Sequence, residues 1–306
     1  MQITNSWIKI EITAPEELVD AISSFLDDIG VAGCYQENFV DGEDGDFFAS
    51  PAVERLIVHI PQDLRSEKKI AQLERYLAEL KELFPQLMAL SASHSTVENP
   101  DWNEAWKKYF KPLRIGRNIV IKPSWERFIP QADDILVEID PGMAFGTGQH
   151  ASSRLCLEEL EVLLTSQQPP WRMLDVGTGT GILSIYAAKA GVGEILAIDL
   201  DQDAVTIAQE NARLNGIRQQ ISFRVQTLEE VSGDFNLIVA NLTTKTLIDN
   251  RHRLLNALIN GGFLILSGVI AEHGDDIERA FKINPENLCR KRMANGWVCY
   301  ALQQRK

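Results

Sequence analysis

The sequence predicts an α/β protein in two parts: an N-terminal α+β unit of βαββαβ order, then a larger Rossmann-like domain built on a seven-stranded sheet. Three observations predict this. Strand and helix patterns alternate along most of the chain. An apolar strand end, Met173 to Val176, runs into glycines at 177, 179 and 181, and a helical pattern from Ile182 to Ala190 follows at once. A second apolar strand, Glu194 to Asp199, then ends in an acid.

The N-terminal unit is expected over residues 1–98. Ile8, Ile10 and Ile12 alternate as in a half-buried strand. Thr13-Ala14-Pro15-Glu16 reads as a capping box opening a helix, with Leu18, Ile22, Phe25 and Leu26 on its apolar side and Gly30 at its end. Val31 to Gln36 and Arg55 to Ile60 read as the next two strands. Ser66 to Phe84 reads as a charged amphipathic helix and Met88 to Val97 as the last strand. That order is the ferredoxin-like one. The acidic run Asp41 to Asp46 lacks the position-twelve acid and flanking helices of an EF-hand, so a solvated hairpin loop is expected there.

Residues 99–125 read as a linker. Trp102, Trp106, Tyr109 and Phe110 recur at helical spacing, as in a helix packing an aromatic face on one domain; a stacking platform for unpaired bases is the alternative. Residues 107–122 carry six Lys/Arg and no acid. This run is either a solvated basic connector or a local contact for RNA or an acidic surface.

From 126 to 306 the βα alternation continues. Strands are expected at 135–139, 173–176, 194–199, 221–226, 235–240, 263–269 and 297–303, with helices at 151–165, 182–190, 203–215, 244–260 and 271–283. Glycines at the 177–181 turn allow a tight bend and close approach of a ligand to the backbone, and the helix start beyond it offers unpaired N–H groups. The spacing is G-x-G-x-G. Ile182 stands where a dinucleotide fingerprint needs its third glycine. Asp175, two residues upstream, suits a ligand carrying an amino group or a cationic sulfur. Asp199, at the tip of the second strand, can accept both hydroxyls of an adenosine ribose. Together these point to a class I methyltransferase using S-adenosylmethionine (AdoMet).

Two further segments belong to this pocket. The loop Asp140 to Ser153 holds three glycines within seven residues but lacks the Gly-Lys-Ser/Thr ending of a P-loop. His150 is either structural or a general base, and Ser152 and Ser153 either cap the helix that starts there or reach the ligand. The strand Phe235 to Ala240 ends in Asn241-Leu242, which should face the same crevice beyond the strand ends. The Asn241 side-chain oxygen could accept the N–H bonds of an amine and aim its lone pair at the transferring methyl.

Composition agrees with a globular enzyme: 306 residues, 45% apolar and 24% charged. The formal net charge of −13 opposes general affinity for phosphate backbones and suits a basic protein partner. Met1 to Trp7 shows no basic segment leading into an apolar one, and no apolar run approaches bilayer-spanning length, so neither a secretory signal nor membrane association is expected. Cys34, Cys156, Cys289 and Cys299 are widely spaced, which predicts no metal site and no disulfide framework and fits the cytoplasm.

The chain closely resembles the PrmA family, which methylates large-subunit ribosomal protein eleven. The resemblance rests on Asp101-Trp102 with Trp106, Pro123-Ser124-Trp125, the 140–153 loop, Leu174 to Gly181, Asp199, and Ala240-Asn241-Leu242. It implies a ferredoxin-like domain that captures the ribosomal protein, free or ribosome-bound, a flexible linker, and a catalytic domain that methylates lysine ε-amines and an α-amine with AdoMet. By motif position its AdoMet contacts fall on Ser153, Gly177, Asp199 and Asn241, with Gly179 in the same turn. The family commonly reads His-Pro-Thr-Thr where this chain has His150-Ala151-Ser152-Ser153, and a serine hydroxyl replaces the threonine bond. A monomer without strong nucleic-acid binding is expected. Methyltransferases acting on glutamine commonly show Asn-Pro-Pro-Tyr where this chain has Ala240 to Thr243; these, RNA methyltransferases and a non-catalytic AdoMet- or dinucleotide-binding module are the alternatives.

Overall fold

A computed structural model describes residues 6–15, 18, 22, 25–26, 29, 35–37, 53–61, 66–83, 90–98, 110–140, 146–166 and 170–305. It divides into two compact units, Met1–Lys108 and Tyr109–Lys306. The acidic run 41–46 and the aromatic residues Trp102, Trp106 and Tyr109 lie outside the described residues.

In the first unit, β1 (Ser6–Pro15), β2 (Tyr35–Glu37), β3 (Val53–Pro61) and β4 (Ser91–Glu98) form an antiparallel sheet of order β2-β3-β1-β4. That is the ferredoxin-like order. Alternate residues explain its one buried face: Ile10, Ile12 and Ala14 of β1 and Leu56, Val58 and Ile60 of β3 point to one side. Leu73, Leu77 and Leu80 of α1 (Ser66–Leu83) cover them, as do Leu18, Ile22 and Leu26 from the expected first helix. Each leucine, isoleucine or valine among them contributes about 1.5–3 kcal/mol on burial.

The second unit carries two sheets. β5 (Leu113–Ile115), β6 (Ile119–Lys122) and β7 (Ile135–Glu138) form a small sheet. Residues 113–122, within the range read as a linker, are therefore strands of this unit. The main sheet has seven strands: β8 (Arg172–Val176), β9 (Glu194–Asp199), β10 (Ile221–Val225), β11 (Phe235–Asn241), β12 (Leu258–Ile270), β13 (Leu288–Ala294) and β14 (Trp297–Gln303). Their order is β10-β9-β8-β11-β12-β14-β13, parallel up to β12, with β14 antiparallel to both its neighbours.

Membership of that sheet differs from the sequence reading. The strand at 135–138 belongs to the small sheet, and the seventh place is taken by β13, whose Leu-Cys-Arg-Lys-Arg-Met-Ala sequence masks an edge strand. Period two sorts the core into two layers. Met173, Leu237, Val239 and Ile265 face α2 (Ala151–Ser166) and α3 (Ile182–Lys189), whereas Leu174, Ile238, Leu264 and Leu266 face α5 (Thr244–Ala257) and α6 (Gly274–Ala280). α4 (Gln202–Leu214) follows β9, its N-cap Asp201 accepting a bond from the Asp203 N–H. No helix among the described residues is long and apolar enough to cross a membrane.

Candidate active site

The site lies where β8, β9 and β11 end. The turn after β8 hangs on β9: the N–H groups of Gly177 and Thr178 both donate to the Ile198 carbonyl, at 2.9 and 3.0 Å. Gly177 sits at φ 73°, a conformation glycine adopts readily, and a Cβ there would lie 2.5 Å from the Leu242 side chain. Gly179 N–H donates to Asp199 Oδ2 at 3.0 Å, and Asp201 N–H donates to Oδ1 at 3.1 Å. Gly177, Gly179 and Asp199 are thus brought together. Leu200, beside Asp199, is 74% exposed. Its open apolar side chain adjoins the β9 acid, an exposure the sequence does not signal because leucine after a strand resembles core.

Asp175 shares the Met173 face of β8, so its fully buried carboxylate meets α3. Oδ2 accepts hydrogen bonds from Thr178 Oγ1 (2.8 Å) and Ser184 Oγ (2.7 Å), while Oδ1 has no partner among the described residues. Burial pushes this carboxyl up to about 6, against the opposing pull of the two hydroxyls. Asp175 staples the turn to α3.

Parallel pairing sets Ala240 of β11 opposite Val176 of β8, so Asn241 and Gly177 leave the sheet side by side. Asn241 Nδ2 donates to Ser153 Oγ at 3.4 Å, and its buried Oδ1 has no hydrogen-bond partner among the described residues. Ser153 is held in turn: it lies on the first turn of α2, and Ser267 of β12 donates to the Ser152 carbonyl at 3.1 Å. Leu242 N–H donates to the Ser267 carbonyl at 3.1 Å. At the next residue, Gly268, φ is 80°, and a Cβ would lie 2.3 Å from the Leu242 carbonyl oxygen. A glycine inside an apolar strand is the signal that could have found this close approach.

His150 packs edge-on against Trp297, with ring centroids 4.6 Å apart, and its Nδ1 lies 2.7 Å from Ser152 Oγ. Burial, aided by Arg154, pulls its pKa down to about 4. It is a neutral, packed imidazole at pH 7 and a weak base.

Of the four described cations in the basic run at 107–122, three are paired within the second unit. Arg114 makes a two-pronged contact with Asp134 (2.6 and 2.8 Å), Lys122 pairs with Glu138 at 2.6 Å, and Lys111 pairs with Glu126 at 2.7 Å. Cations neutralised this way offer little to a phosphate backbone.

The donor set fits AdoMet. A buried amide oxygen left unpaired costs about 1–3 kcal/mol, so Asn241 Oδ1 is poised to accept from a ligand donor. Asp199 remains able to accept further hydrogen bonds, and the glycine turn keeps Cβ atoms away from the backbone. The comparisons with known proteins agree. The family model described as ribosomal protein L11 methyltransferase (PrmA) matches residues 6–305. A curated relative of that name from Pelobacter propionicus is 35% identical, covering 97% of both chains. Another from Syntrophotalea carbinolica is 38% identical, covering 90% of this chain and 91% of its own. The crystal structure of a ribosomal protein L11 methylase from Lactobacillus delbrueckii subsp. bulgaricus superposes with a TM-score of 0.59 at 33% identity, covering 64% of this chain and all of its own. With the glycine turn, the β9 acid and the Asn-Leu strand end all set on a sheet in which β14 alone runs against its neighbours, this chain belongs to the ribosomal protein L11 methyltransferase (PrmA) family.

Proposed function

We propose that the protein transfers methyl groups from AdoMet to lysine ε-amines and the N-terminal α-amine of ribosomal protein L11, in the cytoplasm, with Ser153, Gly177, Gly179, Asp199 and Asn241 holding the cofactor. The observation that carries the assignment of residues is the buried Asn241 Oδ1, without a hydrogen-bond partner among the described residues, at the end of β11 beside the glycine turn. When bound, AdoMet supplies an electrophilic methyl on a positively charged sulfur.

The chain's own residues do the rest by positioning. Asp199 accepts the ribose hydroxyls with a carboxylate already oriented by Gly179 and Asp201. Asn241 Oδ1 accepts an N–H of the incoming amine and directs its lone pair, which is where orientation yields rate. A lysine is almost wholly cationic at neutral pH, and desolvation in the crevice lowers its pKa toward the free amine. His150, neutral and bonded to Ser152, is not needed as a base; the proton leaves to water.

The test is incubation of the purified protein with AdoMet and unmethylated L11, read by intact and peptide mass. Gains in steps of about 14 Da on lysines or the N-terminus are expected, since each methyl replaces one proton on the amine. AdoMet binding with no mass gain on L11 overturns the substrate assignment.

A further inference from the structure

We infer that Asn211 is a positioning residue for the cofactor turn: its buried side-chain amide locks the Thr180 carbonyl to the Asp140 backbone. This rests on the proposed AdoMet site. Asn211 lies on α4, distant in sequence from both segments it joins, and is 1% exposed. Its Nδ2 donates to the Thr180 carbonyl at 3.0 Å, and its Oδ1 accepts from the Asp140 N–H at 3.0 Å. One planar amide thus sets the spacing between the glycine turn and the end of β7.

Three further contacts make this a built device. Asn215, one helical turn on, accepts from Glu138 N–H at 2.9 Å and donates to Glu138 carbonyl at 2.6 Å. Asn211 of α4 and the C-cap residue Asn215 therefore bind the backbone at and just beyond the end of β7, at Glu138 and Asp140, much as a neighbouring strand would. Ser124 donates to the Asp140 carboxylate through both N–H (2.7 Å) and Oγ (2.8 Å), so Asp140 is held from its other side as well. Thr180 Oγ1 donates to the Gly146 carbonyl at 2.5 Å. Asp140 and Gly146 are consequently both tied to Thr180, one through Asn211 and one directly.

The Thr180 carbonyl belongs to the peptide that leads into Gly181, the residue capping α3. Holding that carbonyl fixes the peptide plane, and the plane decides where the turn's N–H groups point. The same plane carries the Gly181 N–H, which closes the turn onto the Thr178 carbonyl at 2.9 Å. Asn211 touches neither donor nor amine in this arrangement; it acts through Thr180.

The experiment compares AdoMet binding by calorimetry in the full chain with steady-state methylation of L11, for wild type, Asn211→Asp, Thr180→Val and the double variant. Asn211→Asp keeps the acceptor for Asp140 but turns a second acceptor on the Thr180 carbonyl. AdoMet affinity is expected to fall by about tenfold, the size of effect expected from removing one buried hydrogen bond, while KM for L11 stays within about twofold. Because both residues act on one turn, the double variant should bind AdoMet much as the weaker single variant does, short of the product of the two losses. Unchanged AdoMet affinity in Asn211→Asp, or equal losses for AdoMet and L11 that follow a fall in melting temperature, overturns the inference. Failure of the wild-type chain to bind AdoMet would instead overturn the cofactor site on which it rests.

Discussion

The backbone N–H of Gly179 donates to the Asp199 carboxylate at 3.0 Å, joining the turn after β8 to the tip of β9. The acid proposed to hold the ribose therefore also shapes the turn beside it. Asp199→Ala removes a ligand contact and the brace of Gly179 together, whereas Asp199→Asn keeps an oxygen for one of them. AdoMet affinity is expected to fall by about a hundredfold in the alanine variant and by less in the asparagine variant, as titration calorimetry can measure. Equal losses in the two would show that only the charge matters.

Asn241 faces a different demand. Its Nδ2 is committed to Ser153, and its Oδ1 is buried with no hydrogen-bond partner among the described residues. Asn241→Ala should lower kcat for L11 methylation by about 10²-fold or more, with a smaller rise in KM for AdoMet, because orientation of the amine is lost. Methylation at the wild-type rate would remove Asn241 from the mechanism.

Asp175 makes stability depend on pH in an unusual direction for an acid. Its carboxyl titrates at about 6 when folded against 3.8 when free, because burial disfavours the charge. The folded state then binds the proton more tightly, so its contribution to stability is complete below 3.8 and is lost as pH rises through about 6. The shift corresponds to about 3 kcal/mol. Asp175→Asn should abolish this dependence, so the stability gap between wild type and variant should shift in the variant's favour between pH 4 and 7.5. Denaturant midpoints across that range decide it; a gap that is flat with pH contradicts the assignment.

Glu159 is the buried counter-ion of the β13 edge. Its carboxylate is 1% exposed and accepts from Arg290 Nη1 at 3.0 Å and from Arg292 Nε. Glu159→Ala should destabilise the second unit by about 1–3 kcal/mol, less than for a fully buried pair because both arginines can turn to water. Hydrogen exchange should then rise first along 288–294; unaltered protection there would mean the strand is held by its β14 ladder alone.

Gly268→Ala tests the approach of β12 to Leu242. The new Cβ would meet a backbone oxygen rather than a side-chain end, in a conformation that alanine adopts at a cost. A loss of about 2 kcal/mol or more in stability is expected, together with weaker methylation, since Leu242 adjoins Asn241. Thermal melting and turnover measured on the same sample check both.

By itself, the sequence determined the local features and the family. Alternation in β1 and β3 marked the buried face of the first unit, and the G-x-G-x-G turn between Asp175 and Asp199 marked a methyltransferase pocket, because glycine spacing and strand-end acids are local signals. The resemblance carried by Asp140 to Ser153 and by Ala240 to Leu242 reached the family that the relatives support. Eleven of the fourteen described strands were legible, but the other three and the membership of the main sheet were not. β13 reads as a charged segment because an edge strand buries one face at most, and β5 and β6 are too short for their periodicity to stand out from a basic run. Only the tertiary structure decided which polar groups meet. Asn211 with Thr180 and Asp140, Ser267 with Ser152, and the arginines of β13 with Glu159 are pairs separated by 31 to 133 residues. Side-chain hydrogen bonds leave no periodic trace in the chain, and their partners are chosen by the packing of whole helices and strands.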